Sequence, residues 1–382
     1  MDVAIIGGGI VGCASAYYLR QRGADVTLFE KGPIGNGSTE RSVGGIRCQF
    51  TTPINVKLSK ASVDVWDRFE STFDVDIQYR RNGYLFVAQS EETAELFEAT
   101  VEMQNRLGVS TELLDSNEIE DRFPYLRAET CTAGTFHAGD GFADPHLALQ
   151  GFATKAREIG VDIRTKTPVT DVIRDGGSVS GVVTNDERIQ VDYVVNAAGP
   201  WAGRVATLAD ISLPVSARRR QVLVAEPDGD FPDAAPLTID LDTGVYFRPE
   251  RGESVLAGGH FDEEDPEQDP DGYAKSTDLE WITTVLDRAS EASFVFGPET
   301  SVKRGWAGLY AVTPDHHPVL EETIPGFINA IGFSGHGFQQ APATGQIVTE
   351  LVFDGKASLM DIGPLSSERF ESDELLTERN VA

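Results

Sequence analysis

The sequence predicts an α/β protein: a Rossmann-like nucleotide-binding domain, discontinuous along the chain, carrying an inserted domain of mostly antiparallel β-sheet plus helix. Three observations predict it. A strand–glycine–helix–strand unit opens the chain, strand-like runs dominate between Pro214 and Leu309, and a strand and a helix of the first kind return after Phe327. The nucleotide-binding domain is expected at residues 1–82, 144–214 and 304–365, the inserted substrate domain at 83–143 and 215–303, and a poorly ordered acidic tail at 366–382.

Asp2 to Ile6 is a short β-branched run stopped by Gly7, Gly8 and Gly9; Ile10 to Arg22 reads as a helix closed by Gly23, and Asp25 to Glu30 as a second strand. Right-handed crossover makes the two strands parallel neighbours. From Pro53, apolar Ile54, Leu58, Ala61, Val65, Phe69 and Phe73 recur at three- or four-residue steps, which describes one face of a long helix. A strand at Tyr84 to Ala88 and a helix from near Glu91 follow. Asp144 is a candidate N-cap with Pro145 as the first helical residue, and that helix should end at Gly160.

Val161 to Arg164, Val169 to Arg174, Val179 to Thr184 and Tyr193 to Asn196 then read as a small meander returning to the parallel sheet. In the inserted domain, strands are expected at Gln221 to Ala225, Val245 to Phe247, Val255 to Ala257 and Val302 to Gly308, with a helix around Trp281 to Leu286. The chain returns to strand at Phe327 to Ile331 and to helix at Gln339 to Phe353.

With 382 residues, 40% of them hydrophobic, the chain has the material for two packed domains. Acids outnumber bases by 61 to 32, a net charge of -29, with no dense basic track, so nucleic acid is not an expected partner. The bases are mostly Arg; such an acid-rich surface is of the kind halophilic proteins tolerate at high salt. Cys13, Cys48 and Cys131 form no CxxC and cannot all pair, so neither a disulfide framework nor a metal site is expected, and a cytoplasmic setting fits. The run Val3 to Val11 lacks a basic n-region and is broken by glycines, so neither a signal peptide nor a membrane span is expected.

Gly7, Gly9, Ile10, Val11 and Gly12 form a G-x-G-x-x-G turn between strand and helix, where backbone N–H groups and the helix N-terminus can hold a pyrophosphate. Gly7 permits the turn, Gly9 the approach of phosphate and Gly12 the packing of helix on strand. Glu30 ends the second strand, where a carboxylate accepts from ribose hydroxyls and repels a 2'-phosphate. The motif alone leaves FAD and NAD undecided.

Three further segments carry a resemblance: Gly37-Ser-Thr-Glu-Arg-Ser-Val-Gly-Gly-Ile-Arg47, Arg304-Gly-Trp-Ala-Gly-Leu-Tyr-Ala-Val-Thr-Pro-Asp-His-His-Pro318, and Gly332-Phe-Ser-Gly-His-Gly-Phe-Gln-Gln-Ala-Pro342. They resemble the D-amino acid oxidase superfamily, especially its branch of sarcosine oxidase β-subunits, dimethylglycine dehydrogenases and L-proline dehydrogenase β-subunits. The resemblance implies FAD as cofactor and hydride transfer from a small amine or amino acid to flavin N5. It also implies cofactor contacts at Lys31, Ser38, Thr39, Arg41, Ser42, Gly44, Gly45, Val169, Ala197, Ala198, Gly199, Trp201, Gly308, Gly332, Gly335, His336, Gly337, Phe338 and Gln339.

Substrate-side roles also follow from it. Arg47 matches the arginine that pairs with a substrate carboxylate, a task suited to the guanidinium fork, although a flavin-contacting or surface arginine is the alternative. Tyr246 and His260 resemble the tyrosine and histidine that shape the pocket over the flavin; an imidazole there could keep the amine unprotonated or be purely structural. Gln339 stands where relatives use a lysine for the carboxylate, and Leu256 where an oxidase lysine promotes oxygen reduction, which implies a dehydrogenase. Gly308 stands in place of a flavin-linking cysteine and Arg41 of a linking histidine, which implies non-covalent FAD. Asp315 and His316, beside Pro314, are either cofactor-side polar groups or turn formers. A D-amino acid, glycine or 2-hydroxy acid substrate, and a role as the flavin-carrying β-subunit of a complex with a partner subunit or electron acceptor, remain open.

Overall fold

The structure, a computed structural model, describes residues 1–261, 264–372 and 375–381. Its first layer is a six-stranded sheet with Asp2–Ile6 near the centre, flanked by Asp25–Glu30 and then Asp162–Thr165 on one side, and by Tyr193–Asn196, Phe327–Ile331 and Val319–Ile324 on the other. All neighbours are parallel except the last pair. Parallel strands covered on both faces must be apolar throughout, and Val3, Ala4, Ile5 and Ile6 are all buried.

Helices Ile10–Gln21, Pro145–Glu158 and Gly337–Asp354 pack in one core with the sheet, where Ile5, Leu19, Leu28, Phe152 and Ile347 are sealed from solvent. Each such side chain contributes about 1.5–3 kcal/mol. The first and last of these helices meet closely: a Cβ on Gly345 would lie 2.8 Å from the Ala14 carbonyl carbon. Over the other face lies a three-stranded meander, Val169–Asp175, Ser178–Thr184 and Arg188–Gln190, packed through Val172, Val179 and Val182.

The second layer is an eight-stranded sheet in the order Ser301–Val312, Ser216–Glu226, Ser254–Gly259, Val245–Glu250, Leu237–Asp240, Tyr84–Ala88, Ala133–His137, Glu112–Leu114. Only Leu237–Asp240 and Tyr84–Ala88 run parallel in it. Its strands alternate with period two: Leu85, Leu223, Phe247 and Ala257 face one core with helix Leu279–Ala292, while Tyr84, Phe86, Val222, Tyr246 and Leu256 face the other.

Several boundaries differ from the sequence reading. The long helix from Pro53 breaks into Pro53–Trp66 and Phe69–Phe73, the second ending at Asp74 with φ +57°. Asp162–Thr165 and Tyr193–Asn196 join the parallel sheet and leave the meander to the segments between them. Ser301–Val312 is paired with Ser216–Glu226, so residues 304–312 lie in the second sheet.

The expected loose tail is corrected. Ser367–Glu371 forms a 3-10 turn whose Arg369 donates from Nε to Asp315 Oδ2 at 2.7 Å, and Glu378 and Asn380 are buried. A carboxylate met by enough donors can be buried, which composition alone does not reveal. Residues 373, 374 and 382 of that tail lie outside the described residues. No helix among the described residues is long and apolar enough to cross a membrane, and they hold no metal-binding cluster of His, Cys, Asp or Glu.

Candidate cofactor and substrate site

A cleft of about 600 Å³ runs between the two layers. At one end Gly7, at φ +116°, makes the turn out of the first strand; a Cβ there would meet the Ala197 carbonyl oxygen at 2.4 Å. Gly9 is the N-cap of helix Ile10–Gln21, and Ile10 N–H donates to Thr39 Oγ1 at 3.1 Å. Glu30 receives Gly8 N–H at 2.8 Å on one oxygen and Gly32 N–H at 2.7 Å on the other, which fixes the carboxylate at the cleft wall.

Lys31, Ser38, Thr39, Arg41, Ser42, Gly45, Val169, Ala197, Ala198, Gly199 and Trp201 line the cleft, as do Gly308, Gly335, His336, Gly337, Phe338 and Gln339. Three expected cofactor residues do not, for steric reasons. Gly12 sits behind the turn, where a Cβ would lie 2.0 Å from Gly7 O. A Cβ on Gly44 would lie 1.9 Å from Ala143 O, and one on Gly332 2.5 Å from the Thr313 methyl.

Arg47, Tyr246 and Gln339 also line the cleft. Arg47 is buried with its guanidinium 4.0 Å over the Phe50 ring, and Gln339 Oε1 accepts its backbone N–H at 2.9 Å. The guanidinium donates to the carbonyls of Gln49 and Asn380 and lies 3.1 Å from His336 Nε2. Arginine has no acceptor, so His336 Nε2 is the acceptor and its proton resides on Nδ1. Burial and the Arg47 charge hold His336 well below the ordinary histidine pKa, so the ring is neutral.

His260 is not in the lining. Its Nε2 is 4.0 Å from Asp265 Oδ1, and Asp265 takes a bidentate pair from Arg220 at 2.9 and 2.8 Å. Arg220 lines the cleft in its place. Asp315 and His316 also stay outside: Asp315 anchors Arg369, and His316, at φ +61°, points Nδ1 at Glu378 O at 3.1 Å.

Leu256 faces a neighbouring cavity that shares Arg41, Ser42 and Val43 with the cleft. At Gly308 a Cβ would lie 2.9 Å from the Arg41 Cβ. Glycine thus lets Arg41 pack along the cleft wall.

Sequence reasoning missed the roof. Tyr84, Val222, Leu237, Ile239 and Tyr310 close it, and Pro270, Asp271, Tyr273 and Lys275 come from the loop after the hairpin. Tyr310 packs where only Gly335 leaves room, a Cβ there lying 2.4 Å from its ring. Burial raises the pKa of Tyr84, Tyr246 and Tyr310, so all three stay phenols. Asp271 gathers Trp201 Nε1 at 2.9 Å, Arg204 at 2.9 Å and Lys31, whose ammonium sits 3.9 Å over the Trp201 ring, and so clasps the two layers together. The alternating apolar residues of the roof strands were a legible signal; the loop, acidic and irregular, offered none.

A glycine cradle that any Cβ would fill, a carboxylate at the end of the second strand and a roof of apolar and phenolic side chains define a dinucleotide-dependent oxidoreductase with its substrate chamber under an inserted sheet. The chain belongs to the DAO family of FAD-dependent oxidoreductases, whose sequence profile it matches over residues 2–351. It is 32% identical, over all of its length and 84% of the relative's, to FAD-dependent oxidoreductase domain-containing protein 1 of Xenopus laevis. It is 26% identical, over all of its length and 94% of the relative's, to the sarcosine oxidase subunit beta of an Arthrobacter species. The crystal structure of L-proline dehydrogenase from P. horikoshii superposes with a TM-score of 0.89 at 32% identity, covering 98% of each chain. The cofactor is therefore FAD, and the cradle fits it.

Proposed function

We propose that this protein oxidises a small secondary or tertiary amine or amino acid of the sarcosine, dimethylglycine or proline type, as a dehydrogenase with non-covalent FAD. The observation that carries the reading is that Arg47, Tyr246 and Gln339 line one cleft, with Arg47 bonded to Gln339 and His336 of the Gly335–Gln339 segment. FAD, when bound, supplies the hydride acceptor for the substrate α-C–H.

The residues here do the rest. Arg47 is the buried guanidinium a carboxylate would pair with in exchange for a carbonyl it now holds, and Gln339 holds its backbone. Neutral His336 leaves Arg47 as the charge of that pair. Tyr84, Tyr246 and Tyr310 exclude water and leave room for an apolar substituent. The backbone N–H groups at the start of helix Gly337–Asp354 give positive potential at the cleft wall.

Leu256 and Gln339, apolar and neutral where oxidases carry lysines, support a carrier or dye as oxidant. Gly308 and Arg41, neither able to form the family's linkage, support non-covalent binding. The similarity to a sarcosine oxidase subunit beta supports a second reading, in which a partner subunit supplies the electron acceptor. The acid-rich surface supports a cytoplasm of high salt.

The test is to purify the protein in high salt and add sarcosine, dimethylglycine, L-proline or D-amino acids without air. Bleaching of a flavin spectrum by one amine, with slow recovery in air and fast recovery with a dye, is expected. Rapid recovery in air overturns the dehydrogenase reading, and no bleaching by any amine overturns the substrate class.

A further inference from the structure

Near the end of the described chain, Glu378 plugs into the start of helix Pro53–Trp66. Its carboxylate accepts from Thr51 N at 2.8 Å, Thr51 Oγ1 at 2.7 Å, Thr52 N at 3.2 Å, Thr52 Oγ1 at 2.7 Å and Asn55 Nδ2 at 3.1 Å. It is fully buried, and such a set of donors repays the cost of burying a charge. This end of the segment is firmly held.

Two residues on, the attachment is of another kind. Arg379 N donates to Thr51 Oγ1 at 3.0 Å and Asn380 N to Glu378 Oε1 at 3.2 Å; beyond these, the Asn380 main-chain carbonyl accepts from the Arg47 guanidinium, and Asn380 Nδ2 donates to Gln49 O at 3.3 Å. That second bond fixes the amide and leaves Asn380 Oδ1 buried with no partner, a cost built into the docked position. Arg379 and Val381 line an outer cavity of about 220 Å³ with Glu92, Thr93 and Leu241, and this cavity shares Ile239 with the main cleft. The segment thus touches the chamber through Asn380 on Arg47, while Arg379 and Val381 line the outer cavity.

We propose that residues 379–381 form a latch on the substrate chamber, pivoting at Glu378, in which the Asn380 carbonyl holds Arg47 until an incoming carboxylate replaces it. The proposal rests on the reading of Arg47 as the carboxylate anchor. A carboxylate gives arginine two charge-assisted bonds where the carbonyl gives one neutral acceptor, so the exchange runs towards substrate. Releasing Asn380 also returns its unpartnered Oδ1 to water. An amine without a carboxylate has nothing to exchange and leaves the latch shut.

The probe is acetate, with acetamide as its neutral control, titrated into the FAD-loaded protein and followed by the flavin absorbance. A chain ending after Glu378 keeps the anchor and lacks the latch; it is expected to bind acetate at least threefold more tightly and acetamide unchanged. In the full chain, hydrogen exchange of amides 379–381 should quicken with saturating acetate while those of Thr51 and Thr52 stay protected. Acetate affinity that is unchanged or weaker in the shortened chain, or exchange at 379–381 indifferent to acetate, overturns the latch. Arg47→Gln separates the two readings: if acetate affinity survives it, the assignment of Arg47 falls and the latch with it; if affinity drops tenfold while the shortened chain behaves like the full one, only the latch falls.

Discussion

Replacing Gly7 by Ala puts a methyl group where the structure has backbone. The new Cβ would stand 2.4 Å from Ala197 O and 2.8 Å from its carbonyl carbon, about an ångström inside ordinary contact. Neither neighbour can yield cheaply, because Ala197 N–H is bonded to Ile6 O at 2.9 Å across adjacent strands. The φ of +116° adds strain for any L side chain. Backbone strain of about 1–3 kcal/mol and overpacking of about 1–3 kcal/mol give a lower bound of about 2 kcal/mol. The turn can escape only by moving into the cleft, so the penalty falls on FAD, whose dissociation constant should rise at least ~30-fold. Titration of apoprotein with FAD, followed by quenching of flavin fluorescence and paired with circular dichroism, measures it. A dissociation constant within about threefold of the parent, in a variant as stable as the parent, would refute the argument that this turn touches the cofactor.

Three other outcomes are expected. Asp271→Ala cuts the clasp to Trp201, Arg204 and Lys31; exposed contacts of this kind are worth about 0.2–1 kcal/mol each, so FAD should dissociate a few-fold faster, with a smaller difference in high salt, as stopped-flow release would record. His336 has a depressed pKa in the folded state, so the stability it confers is complete above the unfolded value of 6.5 and is lost as pH falls below it; the melting temperature should drop from pH 8 to pH 5.5, and by less in His336→Gln. With a net charge of -29, the melting temperature should climb between 0.1 and 2 M NaCl, and a flat response would remove the argument for a high-salt habitat.

Much of the cofactor half was legible because local rules act there. The turn from Gly7 to Gly12 and Glu30 at the strand end sit where strand, glycine and helix signals agree. Tyr246, named by resemblance, lines the cleft, while His260, named the same way, lies outside its lining, just past Gly259 at φ +155°. Tyr310 and Arg220 were missed since their approach to the cleft is set by a pairing of strands about ninety residues apart in sequence. Glu378 was hidden more deeply: an acidic residue in an acidic tail reads as solvated, and its burial depends on donors far away in sequence, Thr51, Thr52 and Asn55.

The order of strands also governs when the molecule can come into being. Asp2–Ile6 waits for Tyr193–Asn196 on one side, which waits for Phe327–Ile331, and helix Ile10–Gln21 completes its packing only when Gly337–Asp354 arrives. Tyr84–Ala88 likewise has no parallel partner until Leu237–Asp240 exists. A ribosome releasing this chain from its amino end therefore exposes unmatched strand edges for most of synthesis, and loop closure over such spans is slow. FAD has a finished berth only after nearly all of the polypeptide has emerged, since residues from Ile6 to Gln339 line the cleft.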